Sequence, residues 1–248
     1  PTVSLPDPPT AANDTSSGDF DTNQTIRPVT NDSAGSGASL VASTVRLCAT
    51  TSTPKASCTL TSLTVADEGT YTVNTTTGVV TFDPLPTFTG TASPVKYVVQ
   101  DTTGQIAGAT VTPTVSLPDP PVATPESKAV IPGGTATFTT VSGSGGLGSS
   151  VAGLDTSLTC LFTPGTSICD ADGVVTVSGE GTYTLNQSTG VVTFVADVNA
   201  TQGNKTAVTY QIVDQFGQTA TSTLTPVVPA PPVAVNDTSS GDFDTNQT

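Results

Sequence analysis

The chain contains no histidine, no methionine and no tryptophan. Without histidine there is no Ser-His-Asp triad, no histidine general base and no histidine-ligated zinc. Basic residues are scarce: six Lys plus Arg stand against 20 Asp plus Glu, a formal net charge of −14 over 248 residues. So few scattered cations make no electrostatic footprint for nucleic acid. Charge of either sign is thin, at 10% of residues, where about 25% is usual for a soluble domain. Glutamate is confined to Glu68, Glu126 and Glu180, and with few Leu and Lys there is little material for long helices. No apolar run approaches the ~18 residues of a membrane-crossing helix, so no membrane contact is expected of this segment. The chain opens with neither Met nor a leader and reads as an internal piece of something longer.

Threonine (51 residues) and serine (24) fill the space that charge leaves. Thr and the abundant Val favour strands, because a branched Cβ packs well on a pleated surface. The 23 Gly and 20 Pro punctuate the chain every few residues, as turns do. The composition is that of an all-β, loop-rich, extracellular protein.

Internal repeats set the organisation. PTVSLPDPP at 1–9 recurs at 113–121, and NDTSSGDFDTNQT at 13–25 recurs at 236–248. EGTYTVNTTTGVVTF (68–82) returns as EGTYTLNQSTGVVTF (180–194), a shift of 112, and VKYVVQDTTGQIAGATVTPTV (95–115) returns as VTYQIVDQFGQTATSTLTPVV (208–228), a shift of 113. Two repeats of about 111 residues follow, at 9–119 and 120–230; residues 1–8 are the tail of a preceding copy, and 231–248 are a linker and the first strand of the next. The phase is that of a window on a continuous fibre. Proline-dense linkers, SLPDPP (116–121) and VVPAPP (227–232), predict stiff joints.

Each repeat reads as an antiparallel β-sandwich. Alternation puts Tyr71, Val73, Val80 and Phe82 on one face across a hairpin whose Gly78 is free to take a positive φ, and Tyr97 and Val99 on the inward face of a second hairpin. Tyr183, Leu185, Val192, Phe194, Tyr210 and Ile212 repeat the pattern. At this periodicity the aromatics are core rather than a sugar-binding platform. The Gly/Ser stretch at 141–150 is a loop and lacks the lysine of a phosphate loop.

Three groups of residues carry chemistry. Cys48 and Cys58, and Cys160 and Cys169, are paired within repeats, with Cys48 and Cys160 112 apart. An even count so arranged predicts one disulfide per repeat; neither CxxC spacing nor histidine supports zinc. All nine asparagines, Asn13, Asn23, Asn31, Asn74, Asn186, Asn199, Asn204, Asn236 and Asn246, lie in N-x-[ST] sequons, well beyond chance, and are expected glycan sites. Aspartates gather near the repeat junctions, where Asp14, Asp101, Asp119 and Asp214 are candidate ligands for calcium, although no EF-hand pattern is present. No other cofactor is expected, and no acid, base or nucleophile stands out as a single catalytic feature.

The carboxy half of each repeat resembles the CshA-type fibril repeat of large bacterial surface adhesins. The resemblance lies in a GTYT hairpin (69–82), an FTG (88–90), a Y-x-V-x-D-x-x-G hairpin beginning at Tyr97 and a closing T-P-x-V strand (112–115). The second repeat carries VNATQGN (198–204) in place of FTG. The resemblance covers roughly 40% of each repeat. It implies tandem immunoglobulin-like sandwiches in an extended rod, on the cell surface, whose partners are neighbouring repeats or chains of the same fibre. A receptor or another cell would be met through a domain elsewhere. The alternatives are repeats that themselves grip a glycan or protein, or a spacer array in a large secreted enzyme.

Overall fold

The computed structural model describes residues 6–51, 53–139, 148–241 and 243. It divides into two compact units, Pro1–Asp119 and Pro120–Thr248. The first contains β1 (Asp14–Gly18), β2 (Gln24–Ile26), β3 (Leu40–Leu47), β4 (Ser62–Val65), β5 (Gly69–Val73), β6 (Val80–Pro84), β7 (Gly90–Thr91), β8 (Val95–Asp101) and β9 (Ile106–Val115). One sheet runs β1-β9-β8-β3 with β7 also on β9, and the other runs β2-β6-β5-β4. All pairings are antiparallel except that β1 lies parallel to β9, Asp14–Gly18 against Val111–Val115.

The second unit repeats the plan. Its strands are β10 (Val122–Ala123), β11 (Glu126–Ala129), β12 (Thr135–Thr139), β13 (Gly148–Ser149), β14 (Cys160–Leu161), β15 (Val174–Val177), β16 (Gly181–Asn186), β17 (Val191–Ala196), β18 (Gly203–Asn204), β19 (Val208–Val213) and β20 (Thr219–Val228). The sheets are β11-β20-β19-β14, with β18 on β20, and β12-β17-β16-β15; a short β10-β13 ribbon is added. Again the first long strand is parallel to the last, Glu126–Ala129 against Leu224–Val227.

The period-two pattern produces the core as expected. Tyr71, Val80, Phe82, Tyr97 and Val99 are fully buried in the first unit, and Tyr183, Val192, Phe194, Tyr210 and Ile212 in the second. Tyr71 and Phe82 are cross-strand neighbours with ring centroids 4.7 Å apart, and Tyr183 and Phe194 stand at 4.6 Å. Each such ring contributes about 2 kcal/mol by removal from water. Gly78 takes φ 70° in the β5–β6 turn, and Gly190 takes 66° in its equivalent. On the outward side, threonine hydroxyls meet across strands: Thr64 and Thr70 at 3.0 Å, Thr176 and Thr182 at 3.1 Å.

Part of the Gly/Ser loop, at 141–147, lies outside the described residues, as do 242 and 244–248, Asn246 among them. The part of the expected third-repeat strand that is described, Asn236–Gly241, forms no strand. It has the sequence of β1 and its flank.

Candidate functional sites

Cys48 is joined to Cys58 and Cys160 to Cys169. Cys48, Cys58 and Val98 form a small buried cluster, with Ile106 against it, separate from the main core. The cluster lies on the outer face of the β3-β8-β9 sheet, because Val98 alternates with the inward Tyr97 and Val99. The loop between the cysteines is tied down where the Lys96 ammonium donates to the Thr53 carbonyl at 2.5 Å. In the second unit Cys160 is buried and Cys169 exposed. The two bridges differ in register. Leu47 pairs with Tyr97 and Leu161 with Tyr210, so these leucines are equivalent. Cys48 follows its leucine and Cys160 precedes its own, an offset of two positions. The 112-residue spacing of the cysteines therefore does not carry over to the sheet; both simply flank an inward leucine.

Asn13, Asn23, Asn31, Asn74, Asn186, Asn199, Asn204 and Asn236 are all exposed. Several also shape the turns they occupy. Asn74 Oδ1 accepts from the Thr76 and Thr77 amides at 3.0 and 3.2 Å, and Asn186 Oδ1 accepts from Ser188 and Thr189 at 3.0 and 3.3 Å. These bonds use Oδ1, whereas a glycan would be attached at Nδ2.

The four junction aspartates are not brought together as a group. Asp14 lies on β1 opposite Val111, which pairs with Val95, whereas Asp101 ends β8 six residues further on, roughly 20 Å at strand rise. Asp101 Oδ1 accepts from the Thr103 amide and hydroxyl and the Gln105 amide, all within 2.9 Å. Asp214 does the same work in the second unit, accepting from the Phe216 and Gln218 amides at 2.9 Å. Burial pushes the Asp101 pKa up, but the Thr103 and Gln105 bonds outweigh it and hold the carboxyl below its ordinary value. Asp119 is exposed at the end of the first unit. Among the described residues, no three His, Cys, Asp or Glu side chains converge.

Asp14 instead meets a partner that the sequence did not announce. The fully buried Tyr97 donates its hydroxyl to both Asp32 oxygens at 2.9 Å and lies 3.1 Å from the Ala12 carbonyl oxygen. Asp14 borders the same hydroxyl. Burial, the largest cause, pushes the pKa of both aspartates up, and for Asp14 the Asp32 charge adds to it. Asp32 stands 65 residues from Tyr97, and only its NDS triplet, an echo of the NDT at 13–15, marks it in the sequence.

Two sandwiches in tandem, each with its first long strand parallel to its last, define an immunoglobulin-like β-sandwich repeat protein. The chain belongs to the family of the surface adhesin CshA repetitive domain, which matches residues 6–115 and again 123–228. It is therefore a surface-adhesin repeat module, and the family places it outside the cell. No curated protein sequence matches it. Among solved structures, mouse cadherin-23 EC22-24 is similar at 14% identity and TM-score 0.33, over 89% of this chain and 64% of that one. Sidekick-1 immunoglobulin domains 1-4 are similar at 11% and 0.33, over 90% and 49%, and Drosophila N-cadherin EC1-4 at 10% and 0.28, over 90% and 51%.

Proposed function

We propose that each repeat is a load-bearing length of the shaft of an extracellular filament, projecting an adhesive part carried elsewhere in the protein. The observation that carries this reading is the parallel pairing of β1 with β9 and of β11 with β20. Adjacent parallel strands at the two ends of a domain's chain place its beginning at one pole and its end at the other. Tension between the termini then shears the whole ladder at once instead of opening it bond by bond. Proline-dense linkers fit the same role by resisting collapse of the joints.

The reading assigns no catalysis to the segment. Surface clefts of about 380 Å³ in the first unit and 520 Å³ in the second are lined by aliphatic, proline, threonine and serine residues with the disulfide-bonded Cys48, Lys96 and Gln202, and by no carboxylate or free thiol. All four tyrosines are spent in the cores, which weighs against a sugar platform.

Force spectroscopy on the tandem chain tests the proposal. The Gly18 carbonyl accepts from the Ser116 amide, so the even positions of β1 face β9. Ser16→Pro is expected to remove a ladder bond and lower the first unit's rupture force markedly, leaving the second unit's unchanged. Wild-type domains that give way without a resolved rupture peak would overturn the load-bearing role. The sequons join the proposal as surface glycan sites: peptides carrying Asn74 and Asn186 from native filaments should be modified, and unmodified peptides at both would reject this.

A further inference from the structure

The two units differ at one corner in a way that calls for a cation. Asp14 opposes Val111 on β9, and Glu126 opposes Leu224 on β20. Val111 in turn pairs with Val95 and Leu224 with Val208, so Asp14 and Glu126 hold the same place. Two residues along the same strand face stand Ser16 and Lys128. In the second unit the Lys128 ammonium lies 2.8 Å from Glu126 Oε1 and neutralises it. In the first unit the corresponding Ser16 hydroxyl is turned to Gln24 Oε1 at 2.5 Å. Asp14 has neutral hydrogen-bond partners in the Tyr97 hydroxyl and the Asn31 side chain, and the charged neighbour it has is a second carboxylate, Asp32, across the same Tyr97 hydroxyl.

Asp14 is only 8% exposed, and its Oδ2 has no hydrogen-bond partner. Lys128–Glu126 is the ion pair found among the described residues. A buried carboxylate set beside a second, half-buried one needs a counter-charge or a proton.

We propose that the Asp14–Asp32 corner of the first unit binds a hard divalent cation of the calcium class. The available donors are all oxygen: Asp14 Oδ2, a carboxylate oxygen of Asp32 and the Ala12 carbonyl beside the same tyrosine hydroxyl. An oxygen-only set with two negative charges selects calcium over zinc, which takes nitrogen and sulfur readily. Three protein oxygens with water completing the shell correspond to a dissociation constant of about 10⁻⁴–10⁻³ M, the range of extracellular modules. The identical sequence at 13–25 and 236–248 repeats the Asp14–Ser16 pair as Asp237 and Ser239, in contrast to Glu126 and Lys128 of the second unit. The inference does not depend on the shaft reading.

The absence of tryptophan gives a direct readout, since terbium in a calcium site is excited by a tyrosine beside it, here Tyr97. Terbium added to the full chain at neutral pH should give sensitised emission that calcium displaces at millimolar concentration and magnesium displaces poorly. Asp32→Asn should abolish the emission, and Glu126→Gln should leave it unchanged. In scanning calorimetry, 10 mM calcium at constant ionic strength should raise the first unit's Tm by roughly 5 °C, and Asp14→Asn should remove the rise. Emission that persists in Asp32→Asn would overturn the proposal. So would a Tm that ignores calcium and rises only on acidification, because the corner would then hold a proton.

Discussion

Asp101 and Asp214 each close the hairpin between the last two long strands of a unit, gathering the amides of the turn on one carboxylate oxygen. Asp214→Ala would leave those half-buried turn donors without their acceptor, a loss of about 1–3 kcal/mol; urea denaturation of the second unit should show it. The carboxylates of the first unit titrate in opposite senses. Asp101 is held below its ordinary value of 3.8, so its contribution is present above that pH and is lost as pH falls through the folded-state pKa. Asp14 and Asp32 are raised, so theirs is fully present below 3.8 and is lost as pH rises through the folded-state values. In metal-free buffer the Tm of the first unit should therefore climb as pH is lowered from neutral, then fall in stronger acid, and Asp101→Asn should flatten that final fall. At this scale the sequence was least informative. It marked aspartates in turns, but the meeting of Asp14 with Asp32 is made by folding.

The GTYT strands begin with glycine for a steric reason that the sequence string does not reveal. A Cβ on Gly69 would stand 2.4 Å from the Asp83 carbonyl oxygen, and one on Gly181 would stand 2.3 Å from that of Val195. Gly69→Ala or Gly181→Ala should each cost about 1–3 kcal/mol by overpacking, read as a lower Tm of the affected unit alone. Hairpins were legible because alternation over five residues is local. Edge strands were not. DTSSG at 14–18 is a strand, and the same string at 237–241 is not, so pairing and not propensity decides it. Conversely, the second unit lacks FTG, yet Gly203–Asn204 pairs with the end of β20 as Gly90–Thr91 pairs with the end of β9. What persists there is a glycine at positive φ, 95° and 111°.

For the whole molecule, repeat arithmetic went furthest, because two copies of one sequence expose the period without any knowledge of the fold. The copies also explain where such reading stopped: the disulfides match in sequence spacing but flank opposite sides of an equivalent leucine. Each bridge closes its loop off the core and off the terminal-strand ladder. Pulled from its ends, a unit should therefore unfold at the same force with or without its disulfide, but reach further once reduced. Cys48 and Cys58 are 10 positions apart with Cα atoms 4.3 Å from each other, so reduction should release about 30 Å of hidden length. Force–extension curves with and without reductant would register it as longer steps at unchanged height.

The threonine pairs across β4–β5 and β15–β16 have a consequence for the setting in which such a surface lives. A hydroxyl holds water without a counter-ion and does not ionise in any natural water. Between brackish and fresh, or acid and alkaline surroundings, the wetting of those outer faces stays constant, and two such surfaces brought together have little charge there by which to attract or repel.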